Sequence, residues 1–128
     1  MITDGFEDFF DHVITVKLSP EWDYVDIIDQ TLLPGQIKRI TLRTKEEVWE
    51  AIKNLRVRGA PAIGVCAALG LAVITNSLMA EDFEGLYSRF KAAKDYLASS
   101  RPTAVNLFWA LNRMDKKILE LRDLSVPP

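Results

Sequence analysis

The sequence holds one cysteine and one histidine. One of each cannot build a disulfide framework or a structural zinc site within the chain, so no metal is expected and a reducing, cytoplasmic setting fits best. An excess of either charge is missing too: 16 basic residues stand against 18 acidic ones, a net charge of −2. With no basic surplus and no interleaving of basic and aromatic residues, nucleic acid is not an expected partner. Glycine and proline, six of each, are too few for a collagenous or low-complexity chain. A composition of 48% apolar and 27% charged residues excludes a disordered one. The opening run "MITDGFEDFFDHVITV" lacks the basic start and the small-residue cleavage site of an export signal. His12, next to Asp11 in that acidic stretch, reads as a solvated surface side chain.

What remains is a soluble globular composition of 128 residues, the size of one domain with a single core. The expected fold class is mainly α (α+β), a small N-terminal antiparallel β unit over residues 1–43 followed by a helical bundle of about four helices over residues 44–128. Two β-rich stretches, Tyr24 to Asp29 and Gln36 to Leu42, flank "LLPG". Pro34-Gly35 is a strong turn signal, so they predict an antiparallel hairpin, with a third strand around Val13 to Leu18.

From Thr44 the hydrophobic period changes. "TKEE" is a capping box that starts a helix, Val48, Ala51, Ile52 and Leu55 share one face, and Arg58-Gly59 is expected to end the element. Pro61 is expected to open the next helix, which Gly64, Ala67, Ala68 and Gly70 keep thin enough for neighbours to approach its backbone. Pro61 to Ala80 is 20 residues without a charge, close to a bilayer-spanning length. Its strongly apolar part stops at Ile74, however, and it is rich in glycine and alanine, so a helix buried in a helical domain is expected and no membrane. A third helix, Glu81 to Ala98, has acidic residues in its first turn, Arg89, Lys91 and Lys94 later, and an apolar stripe of Phe83, Leu86, Tyr87, Phe90 and Leu97. A fourth begins at the proline after Arg101 and carries Leu107, Leu111, Met114, Ile118 and Leu121 as a seam. The closing "VPP" reads as a stop or the start of a linker.

The unusual feature is the repeated placement of arginine before a proline-started helix, in "RGAP" and in "RPT". A helix N-terminus is already partly positive, so arginine there sets like charge on like. Two readings stand. Arg58 and Arg101 pair with carboxylates such as Asp26, Asp29 or Asp95, and Gly59 merely ends a helix. In the other reading the two helix ends face each other around an anion, with guanidinium forks and free backbone N–H groups as donors and Gly59 allowing close approach. Asn106, one turn into its helix, is a possible substrate-lining residue or a cap for a neighbour. Cys66, among alanines, reads as a small buried hydrophobe rather than a nucleophile. Trp22, Trp49 and Trp109 read as packing or interface residues.

Three segments, "IDQTLLP" at Ile28 to Pro34, "VRGAPAIGVCAALGLA" at Val57 to Ala72 and "RPTAVNLFWALNRM" at Arg101 to Met114, together resemble the N-terminal domain of the 5-methylthioribose-1-phosphate isomerases. The resemblance covers most of the chain from about Asp23 onward. It implies an enzyme whose larger Rossmann-like domain follows the small β unit and the bundle. The implied reaction isomerises 5-methylthioribose 1-phosphate to 5-methylthioribulose 1-phosphate in methionine salvage, with no metal or organic cofactor. Arg58, Gly59, Ala60 and Arg101 then hold the substrate phosphate. The family's catalytic cysteine and aspartate belong to the C-terminal domain, which this sequence does not contain, and Cys66 does not correspond to that cysteine. No catalytic residue is therefore assigned, and the chain by itself is expected to be inactive. It is expected to self-associate as a homo-oligomer or to pair with a C-terminal Rossmann-like domain or subunit. Two alternatives remain open: an isomerase of a related pentose 1-phosphate such as ribose 1,5-bisphosphate, and a non-catalytic regulatory or assembly module related to the regulatory subunits of initiation factor 2B.

Overall fold

In the computed structural model, residues 16–125 are described; His12 and residues 13–15 of the expected third strand lie outside them. Three short strands, β1 (Val16–Leu18), β2 (Val25–Ile28) and β3 (Arg39–Leu42), form an antiparallel sheet in sequence order. The register pairs Val16 with Ile27 and Val25 with Leu42. Val25 and Ile27 are fully buried and Leu42 nearly so, which puts one face of this sheet on the core. Asp26 points to the opposite face, where it accepts from Arg39 Nε at 2.9 Å. The expected hairpin is present, but its connection runs from Asp29 to Lys38, longer than the single turn at Pro34-Gly35. Asp29 N donates to Lys38 O at 2.8 Å, a 3₁₀ turn follows over Gln30–Leu32, and the Leu33–Pro34 peptide is cis.

Helix α1 (Lys45–Lys53) starts with the expected capping box: Glu47 N donates to Thr44 Oγ1 and Thr44 N to Glu47 Oε1, both at 3.2 Å. Such caps contribute about 1 kcal/mol each. Val48, Ala51 and Ile52 are fully buried. The helix stops before Arg58-Gly59, at Asn54, because Leu55 turns the chain with φ 59°; Leu55 therefore leaves the helical face and is exposed.

Helix α2 (Ala60–Ser77) is central and packs against every other helix and against β1 and β2. Its first residue is Ala60, with Pro61 second. Its small residues permit the crossings. A Cβ on Gly64 would meet the Asn106 carbonyl oxygen at 3.2 Å, and one on Gly70 would meet Val48 Cγ1 at 2.8 Å. Among the described residues it is the one helix long and apolar enough to cross a membrane, and half of that apolar stretch is buried inside the molecule.

Helix α3 (Phe83–Ala98) begins two residues later than the acidic run suggests, because Asp82 caps it by accepting from Gly85 N at 2.8 Å. Helix α4 (Val105–Ser125) begins after Arg101 and Pro102 rather than at the proline: residues 101–104 form a turn in which Ala104 N donates to Arg101 O at 3.0 Å. Along α4 the seam is deepest at its start. Leu107 and Leu111 are buried, Met114 and Ile118 are partly covered, and Leu121 is exposed. The sheet and the helices share one core, in which Val25 and Ile27 join Val48, Ile52, Leu71, Phe90, Leu97 and Leu107. Each such side chain contributes about 1.5–3 kcal/mol of transfer free energy on burial.

Candidate phosphate-binding site

The first wall of the site is the passage from α1 to α2. Gly59 sits at φ 92°, a region that costs any residue with a Cβ. A Cβ built there has nothing within 4 Å, so the glycine serves the backbone conformation and not the space. Its carbonyl oxygen accepts from Ile63 N at 2.9 Å and no side chain caps this end of α2. Pro61 has no N–H, so the amides of Ala60 and Ala62 are the first-turn donors without an intrahelical acceptor.

The second wall is the turn from α3 to α4. Ser100 is fully buried and donates through Oγ to Leu97 O at 2.6 Å. This fixes the backbone just before Arg101, which is half-buried. After the turn, the first residues of α4 present Val105 and Asn106.

Between the walls lies a cavity of about 360 Å³. It brings together Arg58, Gly59, Ala60, Arg101 and Asn106, with Leu55, Ile63, Ala104, Val105 and Leu107 as its apolar lining. All five residues singled out from the sequence thus meet at one place, between the N-termini of α2 and α4. Arg101 reaches it from the preceding turn, because its proline does not start the helix. Two arginine forks and two helix ends at one cavity are donors of one kind, and together they suit an oxyanion.

The carboxylate pairings considered for these arginines do not form. Asp26 is taken by Arg39, and Asp29 accepts from Arg56 Nη1 at 2.8 Å. Among the described residues neither Arg58 nor Arg101 has an ion-pair partner. Arg56 is the residue that sequence reasoning missed. In "LRVRG" two arginines flank a valine across a turning segment, in which Arg56 pairs with Asp29 and Glu50, Val57 is buried and Arg58 is exposed.

Among the described residues no histidine, cysteine or carboxylate lines the cavity, so its described residues can hold an anion but offer no base for proton transfer. Cys66 is fully enclosed on α2, where burial pushes its thiol up to about 12. Among the described residues no three histidine, cysteine or acidic side chains gather as a metal-ligand set. A second and larger hollow of about 830 Å³ continues from Ala60 and Asn106 along the groove between α2 and α4. It is mainly apolar, with exposed Val65 and Trp109 on its walls, and lies away from both site arginines. Of the three tryptophans, Trp49 packs against Tyr96 at 6.0 Å between ring centroids, while Trp22 and Trp109 are exposed.

The model of the initiation factor 2 subunit family matches residues 56–126, a stretch that includes both arginine walls and the helices between them. The chain belongs to the initiation factor 2 subunit family. The chain is 55% identical over 101 residues to a methylthioribose-1-phosphate isomerase of Symbiobacterium thermophilum, covering 79% of this chain and 28% of that protein. It is 51% identical over 114 residues to a 5-deoxyribose 1-phosphate isomerase of Petrotoga mobilis, covering 89% and 33%. Among solved structures, the 5-methylthioribose 1-phosphate isomerase of Pyrococcus horikoshii superposes with a TM-score of 0.78 at 45% identity, covering 88% of this chain and 31% of that one. The delta subunit of translation initiation factor eIF-2B from A. fulgidus superposes with a TM-score of 0.69 at 33% identity, covering 86% and 35%. The chain thus spans about a third of the length of these relatives.

Proposed function

We propose that this chain is the N-terminal, phosphate-holding part of an aldose–ketose isomerase acting on 5-methylthioribose 1-phosphate. The observation that carries the reading is the convergence of Arg58, Gly59, Ala60 and Arg101 on one cavity, with neither arginine paired to a described carboxylate. The names of the relatives supply the substrate class. In this reading Arg58 and Arg101 bind the phosphate oxygens, the N–H groups at the start of α2 complete the cradle, and Asn106 lines the sugar side. Holding the phosphate fixes the sugar against a base supplied by a C-terminal Rossmann-like domain or subunit, an orientation effect worth several orders of magnitude in rate. The chain alone is inactive, acts in the cytoplasm, and joins that partner, or a second copy of itself, through the apolar groove between α2 and α4.

The 5-deoxyribose 1-phosphate relatives favour a neighbouring reading in which the phosphate is held in the same way and the substituent at C5 differs. The likeness to an eIF-2B subunit favours a regulatory module whose cavity holds no sugar phosphate.

Calorimetric titration of the chain with 5-methylthioribose 1-phosphate, 5-deoxyribose 1-phosphate and inorganic phosphate tests these readings. Binding of the sugar phosphates, lost by at least tenfold in both Arg58→Ala and Arg101→Ala, is the expected outcome. Equal binding by the unaltered chain and both variants overturns the assignment of the arginines.

A further inference from the structure

Arg58 can serve an anion only if the chain delivers it to the cavity, and its own side chain makes no bond among the described residues that would hold it there. The anchoring lies two residues earlier. Arg56 is fixed at four points. Its N–H donates to Ala51 O at 2.9 Å, and its carbonyl oxygen accepts from Gln30 N at 2.8 Å. Its Nε donates to both carboxylate oxygens of Glu50 at 2.9 Å, and its Nη1 donates to Asp29 Oδ2 at 2.8 Å. The Asp29 side chain is 5% exposed and is itself held, accepting from Thr31 N at 3.0 Å and Thr31 Oγ1 at 2.6 Å. Asp29 N in turn donates to Lys38 O at the end of the sheet.

Two unusual backbone conformations bracket this anchor, Leu55 at φ 59° and Gly59 at φ 92°. Leucine does not adopt such a φ by preference, so surrounding bonds must impose it. The bonds at hand are those of Arg56, the next residue. Val57, 2% exposed, plugs into the core and closes off any rotation of the segment. Arg58 then emerges on the opposite side, at the cavity.

We infer that Arg56 and Asp29 are positioning residues for the anion site: their ion pair ties the α1–α2 passage to the sheet and thereby aims Arg58 and the Gly59 backbone into the cavity. The inference rests on the reading of that cavity as a phosphate site. Arg56 is not a ligand of the anion, because its fork is spent on Asp29 and Glu50. Lysine cannot replace it, since one ammonium cannot span two carboxylates in the fixed plane that a guanidinium offers.

The test is a titration of the ¹⁵N-labelled chain with inorganic phosphate, followed by NMR at the amides of Gly59, Ala60 and Ala62. It is run on the unaltered chain and on Asp29→Asn, Arg56→Lys, Arg58→Ala and the exposed-surface control Lys53→Ala. The temperature is set well below the melting point of every variant, so that a loss of stability alone leaves the affinity unmoved. The expected result is a saturable shift in the unaltered chain and in the Lys53 variant, its loss in Arg58→Ala, and a dissociation constant raised by about tenfold in Asp29→Asn and Arg56→Lys with well-dispersed spectra. If Arg58→Ala abolishes the shift while Asp29→Asn and Arg56→Lys bind as the unaltered chain does, the positioning role is overturned and the site stands. If the unaltered chain gives no saturable shift, or Arg58→Ala binds equally well, the phosphate site itself is overturned and the positioning role goes with it.

Discussion

At the scale of single residues the described charged groups separate into those with an ion-pair partner and those without one. Asp115, 8% exposed, accepts from Tyr87 Oη and Lys94 Nζ, both at 2.6 Å, with Lys91 Nζ at 3.7 Å. Burial alone would raise its pKa; the bonds from Lys94 and Tyr87 outweigh this and hold the carboxyl below its usual range. Because the folded pKa is the lower one, the stabilisation is complete above the ordinary carboxylate pKa and is lost as the pH falls below about 4. Asp115→Asn is expected to cost about 2 kcal/mol at pH 7. Urea unfolding followed from pH 7 to pH 3 should show that difference shrinking toward the acid end; a constant difference would mean the carboxylate charge is not what stabilises α3 against α4. Arg58 and Arg101 are the opposite case, and both were legible as candidates from their neighbours Gly59, Pro61 and Pro102. Arg56 was not, since its role depends on Asp29, 27 positions away in sequence, and no local spacing encodes such a pairing.

At the scale of elements, what could be read in advance was whatever depends on residues three or four apart. The capping box at Thr44 and the thin face of α2 belong to this class. The ends of elements could not be read in the same way: α1 closes at Leu55, a leucine at φ 59° followed by Arg56 N donating to Ala51 O, and α4 starts at Val105 because the preceding turn takes up Pro102. The crossing of α1 and α2 is a direct test of close packing. Gly70→Ala puts a methyl group 2.8 Å from Val48 Cγ1, and Val48 is fully enclosed, so the expected loss is about 1–3 kcal/mol. Adding Val48→Ala should recover part of it, because the two substitutions share the same space. Losses that simply add in the double variant would show that Gly70 is needed for some reason other than Val48.

At the scale of the whole molecule, the groove between α2 and α4 leaves apolar surface open, with Trp109 63% and Val65 46% exposed. Its rim carries Arg113, Lys116 and Lys117, which leaves the floor to apolar contact and the edge to charge. Sedimentation velocity over a range of concentration is expected to show self-association of the chain, reduced in Trp109→Glu. A concentration-independent monomer for both proteins would remove the groove as a docking surface between copies. The partner itself was not legible, since a groove states the character of its occupant and not its identity.

The hydrogen bond from Trp49 Nε1 to Ser99 Oγ, 3.0 Å long, joins α1 to the end of α3 beside the stacking of Trp49 on Tyr96. Ser99 leads into the turn that carries Arg101, and Trp49 lies on α1, the helix whose far end feeds the turn that carries Arg58. One helix, α1, thus stands at the approach to both arginine turns, through its C-terminal end for Arg58 and through Trp49 for Arg101.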